Sequence, residues 1–159
     1  MHIEPYVSSQ LDAVIRLSLR AWTPVFDSIQ QAMNPEVYQV FYPEHWQVKQ
    51  QKAVKDVCAA EDTNVWVAIE SGEPVGFIAV KLHSEGCMGE IYMVAVDPDV
   101  QGHGIGSALI EFALSWMKDA GMAIAMVETG GDIGHAPARH TYEKAGFETF
   151  PTAKYFKKL

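Results

Sequence analysis

The run Val94-Ala95-Val96-Asp97-Pro98-Asp99-Val100-Gln101-Gly102-His103-Gly104-Ile105-Gly106-Ser107-Ala108-Leu109 carries more information than any other segment of this chain. An apolar strand stops at Asp97-Pro98, a loop holds Gly102, Gly104 and Gly106, and an apolar-periodic helix begins at once. Glycine lets the backbone turn tightly and approach a ligand closely. The free N–H groups at a helix start, with the helix dipole, favour an anionic group such as phosphate. A bare strand-to-helix turn is the plainer reading of the same residues. Two nucleotide signatures fail on spacing. A P-loop requires G-x-x-x-x-G-K-[ST], and no Lys precedes Ser107. A dinucleotide fingerprint counted from Gly102 needs glycine where Ser107 stands, and counted from Gly104 it meets Leu109.

Outward from this run the chain divides into short elements. Ile3 to Val7 alternates as a strand, and Ser8-Ser9 offers a cap to a helix carrying Leu11, Val14, Ile15 and Leu19. Pro24, Pro35 and Pro43 are expected to break the next stretch into short helical pieces and turns. A helix is predicted over Glu44 to Ala60. Strands follow at Asn64 to Glu70 and Val75 to Leu82 around a Ser71-Gly72-Glu73-Pro74 turn, then at Glu90 to Val96. Gly104 to Ala120 reads as the clearest helix, with Gly121 as its stop. Ala123 to Glu128 is a strand, Pro137 opens a short helix that Gly146 ends, and Phe147 to Phe150 and Ala153 to Lys157 read as two more strands. The order β-α-α-α-β-β-β-α-β-α-β-β describes a mixed sheet with helices on its faces, an α/β (α+β mixed) class. No repeat or linker divides residues 1–159, which are read as one domain.

Composition narrows the classes of function. The 159 residues are 48% hydrophobic and 20% charged, enough apolar material for a real core. No apolar run reaches the roughly 18 residues that a membrane span needs. Met1-His2-Ile3-Glu4-Pro5 lacks the start of a signal peptide, so a soluble, cytoplasmic protein is expected. The net charge is −8, and the only basic cluster is Lys154, Lys157 and Lys158. That speaks against nucleic acid, which requires a clustered basic face. Cys58 and Cys87 lack zinc or disulfide spacing, and His135 and His140 are five apart, so no metal is expected.

Gln101-Gly102-His103-Gly104-Ile105-Gly106 fits the pattern Q/R-x-x-G-x-G/A, and resembles the acetyl-coenzyme A signature of the GNAT superfamily of N-acetyltransferases. Tyr142-Glu143-Lys144-Ala145-Gly146-Phe147 is similar to a second segment of that superfamily, Y-E-K-x-G-F. The element order agrees, and the resemblance covers nearly the whole chain except Thr23 to Trp46. It implies the GNAT fold: a central mixed, mostly antiparallel sheet with splayed strands, flanked by helices. It also implies an acetyl-CoA-dependent transfer to an amine. By this resemblance the strand ending at Val96 splays from that ending near Glu128. The cofactor arm then pairs with main chain at Val94, Ala95 and Val96, and the pyrophosphate sits over the amides from Gly102 through His103, Gly104, Ile105 and Gly106 to Ser107. Tyr142 matches the frequent general acid, against a packing role as the bland alternative.

An alkylamine is mostly protonated near neutrality, its pKa being about 10.4, so a base must take a proton. Glu90 resembles the base carboxylate of the histone-acetylating branch, and alternation groups it with Tyr92, Val94 and Val96 on one face. Glu128, at the end of the neighbouring strand, is the rival. Either carboxylate has the alternative of holding the substrate's ammonium. The chain also departs from the pattern. Many members carry Asn where His135 stands, seven residues before Tyr142, and the insert Thr129 to Gly134 is unusually rich in glycine. His135 either replaces the Asn contact or acts in catalysis, with a helix-capping or solvent-exposed role as the plainer alternative. Arg139 is a candidate counter-cation for the phosphates, or simply a surface residue. Trp22, Phe26 and Tyr38, in an aromatic-rich stretch, are candidate walls for a cationic or apolar amine, or else core. A homodimer is compatible with the sequence, though no residue specifies an interface. A non-catalytic acyl-CoA sensor is the reading from another class; Tyr142 argues for the enzyme.

Overall fold

The computed structural model describes residues 1–159. Strand β1 (His2–Pro5) leads through a single turn into helix α1 (Leu11–Ala32), followed by α2 (Pro35–Phe41) and α3 (Trp46–Ala59). Strands β2 (Thr63–Glu70), β3 (Glu73–His83) and β4 (Met88–Val96) form a meander; α4 (Ile105–Asp119), β5 (Ile124–Val127) and α5 (Ala136–Lys144) complete the order. The sheet runs β1-β2-β3-β4-β5, antiparallel throughout except for the parallel pair β4 and β5. The β2–β3 turn is tighter than expected. Ser71 and Gly72 both have positive φ, the geometry that a two-residue hairpin selects.

Each face of the sheet carries its own core. Ile78, Val80 and Ile91 meet Ile105, Leu109, Ile110, Ala113 and Met117 of α4 and Tyr142 of α5. On the opposite face, Val67, Phe77, Ala79 and Ala95 meet Val14, Ile15 and Leu17 of α1 and Val54 and Val57 of α3. The close fit of α4 depends on small residues: a Cβ on Gly89 would lie 2.6 Å from Met117 Cγ. A Cβ on Gly76 would press on Leu109 and Ile105.

Three expectations change. Pro24 does not break the chain but lies inside the 22-residue α1. Its missing N–H costs one ladder bond, which the buried Val14, Ile15, Leu17 and Phe26 on the same helix outweigh. The two C-terminal strands do not form, and residues 145–159 have no regular structure. Pro151 splits the alternation there, while Phe156 packs edge-on against Phe41 and Lys154 reaches Glu128. The third change is in β4. Ala79 faces Met93 but Val80 faces Ile91, which leaves Tyr92 as an extra residue, a β-bulge. The bulge reverses the alternation. Val94 and Val96 turn towards α4, while Glu90 lies on the face of its cross-strand partner Lys81, with α1 and α3. Glu90 therefore does not share a face with the two valines.

Candidate active site

Parallel pairing of β4 with β5 covers only Met88 to Ile91 against Ile124 to Val127. From Tyr92 to Val96, β4 has β3 on one edge and no strand on the other, so the two parallel strands part like a fork. A cleft of about 600 Å³ fills this opening. Val94, Ala95 and Val96 form its floor, Gln101, Gly102, Gly104, Ile105, Gly106 and Ser107 one end, and α1 and α5 its two sides. Gly102 and Gly104 have φ of 81° and 84°, a conformation that strains any other residue, and Gly104 is the N-cap of α4. The first amides of α4 are thereby left unbonded at the mouth of the cleft. Gln101 does not point its amide there; Nε2 donates to the Val96 carbonyl at 2.9 Å and fixes the loop on the strand. His103 is exposed at the loop tip and does not line the cleft.

Tyr142 is 8% exposed and lines the cleft with its phenol. No buried polar side-chain atom in the protein lacks a partner, so the Tyr142 hydroxyl, which has no bond within the chain, opens to the cleft. Burial pushes its pKa up to about 12, because the surroundings disfavour a phenolate. The phenol thus stays a proton donor through the neutral range.

The two carboxylates fare differently. The Glu90 side chain is 20% exposed and its Oε2 pairs with His83 Nε2 at 2.7 Å. Lys81 stands beside the pair, its Nζ 4.5 Å from the centre of the Tyr92 ring and 3.6 Å from Asp62. Glu90 lies one residue before the strands part, on the α1/α3 side, and outside the cleft lining. Glu128 follows the end of β5; its side chain is 72% exposed and faces Lys154 at 3.3 Å. Among the residues lining the cleft there is no carboxylate at all, and Lys144 is its one lysine.

Of the aromatic candidates, only Trp22 lines the cleft, braced by an edge contact with Phe77. Phe26 is buried and stacks on Trp46 at 4.3 Å, so it belongs to the core. Tyr38 lies tilted against Tyr42 at 4.8 Å and does not reach the cleft. The cation slot of this aromatic group is filled from within: Lys49 Nζ sits 4.9 Å from the Tyr42 ring centre and donates to the Phe41 carbonyl. His135 also stays outside the lining, with Nδ1 on Asp132 Oδ1. Arg139 is neither a free surface residue nor free for phosphates, since Nη1 donates to the carbonyls of Gly130 and Asp132. Sequence reasoning gave no cleft role to Ala21, Pro24 and Val25 of α1, nor to His140 and Lys144 of α5. The spacing Pro137, His140, Thr141, Lys144 is a helical stripe (i, i+3, i+4, i+7) and was the available signal.

A forked parallel strand pair with a glycine loop at a helix start defines the N-acetyltransferase fold. The sequence model of the acetyltransferase (GNAT) family matches residues 31–147, and the chain belongs to that family. It is 29% identical over 166 residues to the mycothiol acetyltransferase of Rhodococcus opacus (strain B4), covering 93% of this chain and 52% of that protein. The chain therefore spans about half the length of this curated relative. Its fold matches the aminoglycoside antibiotic 6'-N-acetyltransferase AAC(6')-IG of Acinetobacter haemolyticus with a TM-score of 0.68 at 16% identity, covering 100% of this chain and 99% of that one. It also matches the ribosomal-protein-S18-alanine N-acetyltransferase of Escherichia coli, TM-score 0.69 at 20% identity, covering 94% and 79%. No helix is long and apolar enough to cross a membrane, and no group of three or more His, Cys, Asp or Glu is placed to hold a metal ion.

Proposed function

We propose that this chain is an acetyl-CoA-dependent N-acetyltransferase that moves the acetyl group directly to an amine of a small-molecule or peptide acceptor. The observation that carries the reading is the cleft itself. Its floor is an unpaired strand edge, its end a set of helix-start amides, its inner side a buried phenol, and no carboxylate borders it. The pantetheine arm takes the place of a strand beside Val94 to Val96, using backbone groups that the sheet leaves unpaired. Amides from Gly102 to Ser107 meet the pyrophosphate, and Lys144 supplies the cation that Gln101 and Arg139 do not. When bound, the thioester supplies the activated acetyl group.

Tyr142 donates towards the sulfur as negative charge develops there, which its high pKa suits it to do without ionising. Glu90, next to the fork, takes the proton that the ammonium must lose and becomes neutral in doing so, while His83 at 2.7 Å holds its carboxyl group in place. Glu128 is too exposed and too close to Lys154 to be the better base. The proton balance closes. The amine loses one proton before attack and one afterwards; one returns on the thiol and the other reaches solvent. A covalent acyl-enzyme is not part of the proposal. Cys58 is half-buried on α3 with its thiol pushed up to about 11, Cys87 sits in the β3–β4 turn, and neither borders the cleft.

The names of the similar proteins point to different acceptors, so the acceptor of this chain is to be found by assay. Free thiol released from acetyl-CoA is measured across polyamines, amino acids, amino sugars, aminoglycosides and peptide N-termini. Release with one class establishes the transferase. Tight CoA binding with no release from any class supports the non-catalytic sensor instead.

A further inference from the structure

The side of the cleft formed by α1 is tied down at two points eight residues apart. At one end Arg20 reaches the β4–α4 loop, with Nη1 2.7 Å from Asp97 Oδ2 and Nη2 2.8 Å from Asp99 Oδ2. At the other end Ser28, only 7% exposed, reaches the β5–α5 loop. Its hydroxyl donates to Asp132 Oδ2 at 2.5 Å and accepts from the Gly134 N–H at 2.9 Å. The other oxygen of Asp132 accepts from His135 Nδ1, and the carboxylate also accepts from the Gly134 N–H. Arg139 holds the same loop through the carbonyls of Gly130 and Asp132.

Between the two ties lie Trp22, Pro24 and Val25, which border the cleft; opposite them stand Gly134, Pro137 and Thr141. Pro24 lacks an N–H, so this part of α1 is short of a helical bond just where it forms a wall. The ties at Arg20 and Ser28 add to the packing of α1 on the sheet by holding this wall at its two ends. The glycines of the loop fit the same purpose. A Cβ on Gly134 would lie 2.5 Å from Ser28 Cβ, and one on Gly130 would lie 2.6 Å from His135 Nδ1.

We infer that Ser28, Asp132 and His135 form a clasp that sets the distance between α1 and α5, and with it the width of the slot that takes the donor's pantetheine arm. These are positioning residues: they act through the walls and touch no reacting atom. The inference rests on the cleft being the donor site. It assigns to the glycine-rich insert a role in holding the donor's arm, distinct from that of the β4–α4 loop at the donor's phosphates.

The test compares two ligands. Coenzyme A needs the slot, whereas 3',5'-ADP needs only the phosphate end. Titration calorimetry is run on the wild type and on Asp132→Asn and Ser28→Ala. Loss of one buried, charge-assisted bond corresponds to a weakening of about tenfold. CoA affinity is expected to fall by that factor in both variants, with 3',5'-ADP affinity unchanged within about twofold on the same scale. Equal weakening of both ligands, or no weakening of CoA in either variant, overturns the clasp. Ser28→Ala keeps the carboxylate and so remains informative if Asp132→Asn folds poorly. Absence of CoA binding by the wild type defeats the donor-site reading itself, a different result from an unaffected variant.

Discussion

Two loops of this protein occupy the same place in the topology and work by opposite means. Each leaves the end of a parallel strand and feeds a helix, and each is rich in glycine. In the β4–α4 loop, Gly102 and Gly104 have positive φ, no neighbour crowds them, and the amides beyond them are left for a ligand. In the β5–α5 loop none of Gly130, Gly131 and Gly134 has positive φ; two of them leave room for Ser28 and the His135 ring. One loop uses glycine to turn, the other to be approached. The first stays open and the second is filled by its own side chains.

Several measurements can break or sharpen this contrast. The largest effect should come from Tyr142→Phe, which leaves the walls intact but removes the donor. Turnover is expected to fall by about a hundredfold or more, with CoA affinity nearly unchanged. Retention of full turnover would mean that the phenol only packs. Next are the glycines. Gly134→Ala drives a Cβ into Ser28 and is expected to cost about 1–3 kcal/mol by urea unfolding. Gly102→Ala meets no neighbour but must adopt positive φ, at about 1–2 kcal/mol. Gly131→Ala, with open space and ordinary φ, should be neutral. If all three behaved alike, the distinction between turning and close approach would be lost.

The pH dependence also separates the two sides. Tyr142 ionises near 10.0 when unfolded and at about 12 when folded. Between those values the unfolded state has lost a proton that the folded state keeps, so stability falls as pH rises through that window. The loss is about 2–3 kcal/mol, and Tyr142→Phe should flatten that part of the curve. Asp132 behaves with the opposite sign. Its pKa is lowered below 3.8 by the Ser28 hydroxyl and by His135, against the desolvation that would raise it. Its contribution is present above 3.8 and is lost as pH falls below; Asp132→Asn should remove that acid dependence.

The sequence exposed one loop and hid the other for a physical reason. The Gln101 to Gly106 run and the Tyr142 segment are local signals, in which backbone freedom and helix starts lie within a few neighbouring residues. Ser28 and Asp132 are 104 positions apart, and nothing in either neighbourhood announces the other. The same limit applies to β4. Period-2 alternation grouped Glu90 with Val94 and Val96, but a single extra residue at Tyr92 reverses the faces, and that residue is visible only against β3. Aromatic richness located a cluster but not its use: Phe26 stacks on Trp46, Tyr38 leans on Tyr42, Lys49 lies over Tyr42 and Phe41, and Trp22 alone of the candidates reaches the cleft. Pro24 read as a break because propensity is local, whereas the burial that carries α1 past it is not.

The exclusion of carboxylates from the cleft has a kinetic consequence. The chain carries twenty acidic groups against twelve basic ones, and all twenty lie outside the cleft lining. At long range an anionic donor is therefore repelled, and it is attracted only once it reaches the loop amides and Lys144. Salt that screens beyond about 10 Å at 0.1 M weakens the far repulsion more than the near attraction. Donor association should consequently speed up on going from low to moderate ionic strength, the reverse of ordinary electrostatic steering.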